Sequence, residues 1–230
     1  MVNHLSKELA LRLSLLFGAL ILMYAMFRNG QYQIVSMSLV VVACIPIFYK
    51  YEKKKLNIKE LVLIAVLVTT AVLGRFMFYM IPALTPMTAI IIISGICMGP
   101  EIGFLVGALS AIASNMIFGQ GPWTPFQMFS WGIIGLVAGL PWVQKKLNQS
   151  YLGLIIYGIV AGLFFSFFMD TWTVFSIDRY FSWSRYLALL VTALPYTLSY
   201  CFANAFFSCL LFRAIQTKLQ RILVKYDIKK

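Results

Sequence analysis

Eight long apolar stretches occupy most of this 230-residue chain and constrain its fold more than any other feature. They cover residues 11–27, 34–49, 61–81, 87–98, 102–118, 126–143, 151–170 and 187–212. A membrane-spanning helix needs about 20 mainly apolar residues, whereas the strands of a membrane barrel alternate in polarity within segments of about ten residues. Because the stretches lack that alternation, the sequence predicts an all-α polytopic membrane protein with eight spans.

The composition excludes the common soluble classes. Hydrophobic residues make up 61% of the chain and charged residues 11%, against roughly 45–50% and about 25% in soluble domains. The four cysteines lie inside apolar stretches without the spacing of a disulfide framework or a zinc site. We therefore interpret them as buried thiols, and we expect no metal and no bound cofactor.

The basic residues predict the orientation of the spans. Lys and Arg accumulate in cytosolic loops of membrane proteins. With the N-terminus inside, alternation of eight spans places all but four of the 19 Lys and Arg on the cytosolic side. The four on the outer side are Arg28, Arg75, Arg179 and Arg185. We therefore expect both termini in the cytosol, and we attribute the net charge of +12 to membrane topology rather than to nucleic-acid binding.

A basic cluster at residues 50–55 marks the clearest boundary in the chain. It divides two N-terminal membrane helices and a basic cytosolic loop, residues 1–57, from a six-helix core, residues 58–213. The remaining residues 214–230 form a basic, amphipathic cytosolic tail. This tail either continues the last helix or lies on anionic headgroups.

The predicted outer loops carry most of the candidate binding chemistry. They span residues 80–86, 119–125 and 170–185, and they are rich in Gly, Pro, Trp and Tyr. In the second loop, glycines and prolines favour a rigid turn around Trp123. Gln127 and Trp131 follow four residues apart on one helix face. Aromatic faces with a few polar groups are typical of ligand pockets, although aromatic residues also anchor membrane interfaces.

Two polar residues within the apolar stretches extend this candidate site. Arg75 needs an ionic partner or a water-filled cavity, so it either pairs with Asp170 or binds a ligand. Asn115 either contacts a ligand or bridges two helices. The predicted substrate-binding residues are Arg75, Tyr79, Asn115, Gln120, Trp123, Gln127, Trp131, Asp170 and Trp172.

Two rows of small residues predict close helix packing. The first row has four-residue spacing and consists of Gly99, Gly103, Gly107 and Ala111. The second row consists of Gly132, Gly135 and Gly139. Small side chains allow neighbouring helix backbones to approach closely within a membrane bundle.

Four segments carry a resemblance to a known family. They are residues 74–76 (GRF), 85–95 (TPMTAIIIISG), 99–111 (GPEIGFLVGALSA) and 114–132 (SNMIFGQGPWTPFQMFSWG). Through them, residues 59 to about 213 resemble the substrate-binding S component of energy-coupling factor (ECF) vitamin transporters. The chain looks most like the subgroup that contains the cobalamin-specific S component.

The resemblance implies a multi-pass protein of the bacterial plasma membrane that binds a vitamin, with cobalamin as the expected substrate, near the outer face. It also implies docking on an ECF module made of one transmembrane coupling protein and two cytosolic ATPases, which use the ATP. Family members dock through an Ala-xxx-Ala surface on the first core helix. The nearest match here is Ala65 and Thr69.

Three alternatives remain open at this stage. One is an S component for another vitamin or a precursor. Another is a membrane enzyme acting on lipids through Arg75, Asp170, Asp178 and Arg179. The last is a passive channel or a structural bundle. The chain has one histidine and no phosphate-binding loop, so the sequence favours a non-enzymatic function.

Overall fold

The computed structural model of the protein describes residues 58–227. The two helices predicted within residues 1–57 lie outside this range. The described part consists of helices joined by short turns and contains no strand. The helices are α1 (Ile58–Met77), α2 (Met87–Met98), α3 (Pro100–Phe118), α4 (Thr124–Gly139), α5 (Pro141–Gln149), α6 (Tyr151–Asp178), α7 (Trp183–Thr192) and α8 (Leu194–Lys225).

The long helices confirm that this region is all-α and apolar enough for a membrane. Within residues 58–227, α1, α3, α6 and α8 are each long and apolar enough to cross a bilayer. The pair α4 and α5 adds a fifth crossing if the two are counted as one span bent by 76°. The sequence predicts six spans for this core. Since the described helices give four spans, or five with the bent pair, the exact number of spans stays a prediction.

Helix α2 is a short helix in the interior of the bundle. It has 12 residues, which gives a length of about 18 Å at 1.5 Å per residue. This is less than the roughly 30 Å of a bilayer core. Every residue of α2 is buried, and the helix begins at Met87, directly after Pro86. The surrounding helices therefore enclose α2.

Prolines divide two of the predicted spans. The prediction of one continuous helix over 126–143 is wrong, because the chain is extended at Leu140 (ψ 135°) and a new helix, α5, starts at Pro141. The helix predicted over 187–212 is likewise interrupted at Ala193, before Pro195. Proline has no backbone N–H, and its ring clashes with the carbonyl one turn earlier.

The segment 170–185 is mostly helical rather than a loop. Helix α6 has 28 residues and continues to Asp178, and it ends only where Arg179 adopts a left-handed conformation (φ 63°). Val174 is fully buried and its neighbours on this last part are mostly half-buried, so the helix has a packing contact beyond the predicted end.

Helix α8 continues well past Arg213. Its 32 residues correspond to about 48 Å, more than the roughly 30 Å of a bilayer core. The basic residues Lys218, Arg221 and Lys225 therefore lie on a continuation of the last helix. This is the first of the two arrangements that the sequence left open for the tail.

Glycines bring α2, α3 and α4 into backbone contact. A Cβ atom added at Gly135 would overlap the Gly103 carbonyl oxygen, and one at Gly95 or Gly103 would overlap the Gly135 carbonyl oxygen. The predicted small-residue packing is thereby confirmed for Gly103 and Gly135, and Gly95, which is outside the predicted rows, takes part in it as well. Gly99 is an exception, because it ends α2 with φ 97° and has open space around its Cα.

The turns 78–86, 119–123 and 179–182 lie at one end of the bundle, which we call the loop end. At this end, a hydrogen bond from Arg75 to Ser114 joins α1 to α3, and the rings of Phe126 and Trp172 bring α4 next to α6. The opposite end carries the turns at Gly99, Leu140 and Ser150.

Candidate binding site

A cavity of about 340 Å³ opens at the loop end. It lies between α1, the turn 78–86, α4, α6 and α8. Its lining residues combine one cation with an amide, hydroxyl groups and aromatic rings, and none of them is a carboxylate. They are Arg75, Phe78, Tyr79, Ile81, Pro82, Ala83, Thr85, Gln127, Trp131, Phe165 and Tyr200.

Arg75 is held by contacts to α3 rather than by an ion pair. Its Nη1 donates hydrogen bonds to Ser114 Oγ (2.6 Å) and Asn115 Oδ1 (3.3 Å). The guanidinium carbon lies 4.7 Å from the ring centre of Phe118 and 5.6 Å from that of Trp131. The guanidinium is thus fixed in position at the wall of the cavity.

The Arg75–Asp170 pair that the sequence suggested does not form. Asp170 is only 9% exposed, and its Oδ2 is buried without a hydrogen-bond partner. Asp178, on the same helix as Asp170, forms an ion pair with Arg185 at 2.6 Å. The physical reason is local: polar groups on neighbouring α3 already hold the Arg75 guanidinium, whereas Asp170 belongs to α6.

Asn115 is the centre of a buried polar network that bridges α3 and α4. Its side chain is 1% exposed. The Nδ2 group donates to Thr124 Oγ1 (3.0 Å) and to Gln127 Oε1 (2.7 Å), while Oδ1 accepts from Arg75. Of the two roles expected for Asn115, the structure has the helix bridge. Asn115 orients two cavity residues without lining the cavity itself.

The turn 119–123 is tied to this network. Thr124 Oγ1 donates to Gln120 Oε1 (2.9 Å), and Gln120 Nε2 donates to the Ile112 carbonyl (2.9 Å). The backbone N–H of Thr124 also donates to the Gly121 carbonyl (2.9 Å). Gln120 therefore closes the turn, and it does not line the cavity.

Trp123 and Trp172 form an aromatic contact beside the cavity. Their rings meet edge to face at 5.9 Å, and Phe126 lies 6.5 Å from Trp172. The indole Nε1 of Trp172 is buried without a partner. These contacts join the turn 119–123 and the start of α4 to α6, and neither tryptophan is part of the cavity lining.

Trp131 begins an aromatic wall that runs across three helices. Its indole Nε1 donates to Thr88 Oγ1 (3.1 Å), and its ring stacks on Phe165 at 4.6 Å. Phe165 in turn meets Tyr200 edge to face at 5.1 Å. The wall therefore combines residues of α4, α6 and α8.

Sequence reasoning found part of this lining. Arg75, Tyr79, Gln127 and Trp131 were predicted and line the cavity. The residues that were missed include Phe165 and Tyr200, which lie in apolar stretches where aromatic residues are common. The proline-containing segment 80–86 was the available signal for the missed residues of the turn, Ile81 to Thr85.

The residues proposed for a lipid-acting enzyme do not converge on the cavity. Asp178 is paired with Arg185, and this hydrogen bond raises the pKa of the exposed Arg185 guanidinium. Arg179 ends α6, and only Arg75 lines the cavity. Within the described range, no group of three His, Cys, Asp or Glu side chains is arranged to hold a metal ion.

Replacing Asn115 with leucine is expected to lower stability by about 1–3 kcal/mol, because buried partners would lose their hydrogen bonds. Thermal unfolding of the purified protein measures this effect. The matched control is Asn148→Leu at the opposite end, where one hydrogen bond from Gln216 is lost from a less buried site. Equal destabilisation by the two variants would contradict a central role for Asn115.

Comparison with known proteins gives one family. The model of the family described as "ECF transporter, substrate-specific component" matches residues 59–226. Two UPF0397 proteins from Aliivibrio fischeri, strains MJ11 and ATCC 700601 / ES114, are each 29% identical over 132 residues, which cover 50% of this chain and 72% of the relative. A UPF0397 protein from Vibrio atlanticus strain LGP32 is 32% identical over 99 residues, with coverages of 38% and 54%. No solved structure matches the chain.

Proposed function

Because the chain belongs to the family of substrate-specific components of ECF transporters, we propose that it captures a small vitamin or vitamin precursor in the loop-end cavity and delivers it inward with an ECF module. Members of this family are membrane-embedded transporter components rather than enzymes. The observation that carries the proposal is the cavity itself, whose Arg75 and Gln127 are held in place by Asn115 before any ligand binds. Such preorganisation lowers the ordering cost of binding.

The proposed substrate contacts are the lining residues. Arg75, Gln127, Tyr79 and Trp131 provide polar groups and a ring face to the cavity. The other residues of the predicted site have supporting roles in this proposal. Asn115 and Gln120 fix the polar network, while Trp123 in the turn 119–123 and Asp170 and Trp172 on α6 lie beside the cavity.

The proposed orientation has the loop end facing outward. The opposite end of the bundle carries Lys145 and Lys146 on α5, and Lys218 and Arg221 on the extension of α8. Positive residues favour the cytosolic side. A substrate would thus enter from outside, near the turns 78–86 and 119–123.

The size of the cavity favours a compact substrate. A volume of about 340 Å³ is near the lower end of the roughly 300–1,000 Å³ typical of pockets for drug-sized ligands. Cobalamin, the substrate that the resemblance predicts, is much larger than such ligands. For cobalamin to enter, the turn 78–86 would have to move away from α4 and α8. We therefore propose a smaller vitamin or precursor and retain cobalamin as a testable alternative.

The proposed partner surface lies on α1. Ala65 and Thr69 are exposed, whereas Leu63, Ile64 and Leu67 on the opposite side of the helix are buried in the bundle. A face with small residues allows a partner helix to approach closely. We propose that the transmembrane coupling protein of the module docks here, with the two cytosolic ATPases bound to it.

The proposal is tested by combining ligand identification with uptake. Mass spectrometry of the small molecule that copurifies with the protein identifies the substrate. We expect cells to accumulate that molecule only when this chain and the ECF module are produced together. Turnover of a lipid by the purified chain would instead support the enzyme hypothesis, and ion leak through liposomes that contain only this chain would support a channel.

Gln127→Leu is expected to weaken binding of the copurifying molecule about tenfold, because the cavity loses a directed hydrogen bond to a polar ligand. Isothermal titration calorimetry with the purified variant measures its affinity for the copurifying molecule. Gln149→Leu, at the exposed end of α5, is the matched control and is expected to leave it unchanged. An unaltered affinity in Gln127→Leu would contradict the assignment of Gln127.

A further inference from the structure

The hydrogen-bond network fixes which polar groups the cavity can offer to a ligand. Arginine has only donors, so the Asn115 oxygen must be the atom that accepts from Arg75. The Asn115 amide nitrogen is therefore the donor to Gln127, whose side-chain oxygen is occupied at 2.7 Å. The NH₂ group of Gln127 makes no hydrogen bond within the described part of the chain, so it remains a donor for a ligand. The network thus settles the orientation of both amides without an assumption about either one.

Trp131 and Arg75 follow the same pattern, whereas the hydroxyl groups elsewhere in the lining, on Tyr79, Thr85 and Tyr200, can donate or accept. The indole N–H of Trp131 is already donated to Thr88 Oγ1, so Trp131 offers only its ring. Arg75 uses one nitrogen, Nη1, for its contacts to Ser114 and Asn115. Its Nε and Nη2 groups remain donors. At the wall shared by Arg75 and Gln127, the groups left for a ligand therefore donate hydrogen bonds.

The cavity also has an uncompensated positive charge. No lining residue is acidic, and within the described part of the chain Arg75 has no carboxylate within ion-pair distance. A charge among membrane-spanning helices is costly unless it is paired. A ligand with one negative charge would neutralise Arg75. A phosphate would bring about −1.5 to −2 charges at neutral pH, more than one guanidinium compensates.

The remaining surface favours a flat, apolar body. Phe165, Tyr200 and Trp131 form the aromatic wall, and Phe78 and Pro82 contribute apolar surface from the turn. Aromatic rings contact one another favourably edge to face or offset-stacked. A ring compound is therefore a better match to this wall than a flexible chain or a sugar of similar volume.

We infer that the substrate is a small planar ring compound with one carboxylate, whose carboxylate is bound by Arg75 and the Gln127 amide. This inference rests on the proposed function and specifies the substrate class of the same cavity. The carboxylate accepts hydrogen bonds from both side chains, and an Arg–carboxylate contact is among the strongest hydrogen bonds in proteins. Asn115 acts as a positioning residue because it holds both donors toward this position.

Two pairs of probes that share a ring and differ only in having a carboxylate or a carboxamide test the inference. Nicotinate and nicotinamide, and 4-aminobenzoate and 4-aminobenzamide, have nearly the same shape, but only the acids carry a carboxylate. Their affinities are measured by isothermal titration with the full chain in lipid nanodiscs. In each pair, we expect the carboxylate to bind at least about tenfold more tightly than the amide.

Two variants of the cavity link this preference to its proposed cause. Arg75→Gln removes the charge, and Gln127→Glu supplies the cavity with its own carboxylate beside Arg75. Both are expected to abolish the preference for the acids. Lys146→Gln, a charge removal on α5 outside the cavity, is the control and should retain the preference. Because the two variants alter the site in different ways, failure of one to fold leaves the other informative.

Three results would overturn the inference: equal affinity for acid and amide, no detectable binding of either acid, or a preference for the acids that survives in both cavity variants. None of them would affect the proposed function, because module-dependent uptake of the copurifying molecule is measured separately. Conversely, loss of module dependence with an intact acid preference would overturn the transport function and leave the anion site in place.

Discussion

Replacing Ala65 with tryptophan is expected to abolish uptake while leaving substrate binding by the isolated protein unchanged. Ala65 is exposed on α1, and the small side chain lets a partner helix come close. An indole ring would hold that helix away. The cavity lies at the other end of α1, beside Arg75, so its lining is untouched. Uptake in cells that contain the module, together with titration of the purified variant, measures both effects.

Leu152→Trp is the matched control for this experiment. Leu152 is 64% exposed on α6. The substitution therefore adds an indole to a different outward surface of the bundle. We expect this variant to assemble with the module and to support uptake. If Ala65→Trp supported normal uptake, or if it lost substrate binding, the separation of docking and binding surfaces would be wrong.

Replacing Gly135 with leucine is expected to prevent the bundle from forming. The Cβ atom alone would overlap the carbonyl oxygen of Gly103, and Ile91 Cγ2 lies 3.0 Å from the same position. The obstacle on α3 is backbone, which cannot move as the end of a flexible side chain could. Overpacking a core typically costs about 1–3 kcal/mol per site, and separation of two helices that touch through their backbones should exceed that range. The expected observation is aggregated or degraded protein.

Gly153→Leu provides the corresponding control. Gly153 is in the first turn of α6, and the nearest atoms to an added Cβ are at 3.4 Å or more. Leucine is a better helix former than glycine by about 0.8 kcal/mol or less. The variant should therefore fold with stability equal to or slightly above that of the original protein, as measured by thermal unfolding. A folded, normally stable Gly135→Leu variant would contradict the backbone contact between α3 and α4.

The helices themselves were largely predictable because long apolar stretches have few alternatives. The positions at which the helices begin and end were less predictable. The sequence contains Pro141 and Pro195, yet a proline inside an apolar stretch can start, bend or end a helix, and only the packing of the surrounding helices selects among these. The extension of α6 to Asp178 depends in the same way on a buried face around Val174.

The candidate site was predicted where one segment carries several signals. Gln127 and Trp131 follow a glycine- and proline-rich turn on a common helix face, and both line the cavity. Partners of single polar residues were not predictable from sequence. Arg75 had an obvious acidic candidate in Asp170, but Ser114 and Asn115 are closer because α1 packs beside α3. The contributions of Phe165 and Tyr200 depend on how α6 and α8 meet, which no local pattern encodes.

The central claim is that the substrate occupies the loop-end cavity, and protection of a single introduced thiol tests it most directly. In a background with the native cysteines replaced, Thr85→Cys places a thiol in the cavity lining, and Ser184→Cys places one at the exposed start of α7. The rate of thiol modification is measured with and without a saturating concentration of the copurifying molecule. Our account predicts that the molecule slows modification of T85C severalfold and leaves that of S184C unchanged. Equal rates for T85C with and without the bound molecule would place the substrate elsewhere and contradict the account.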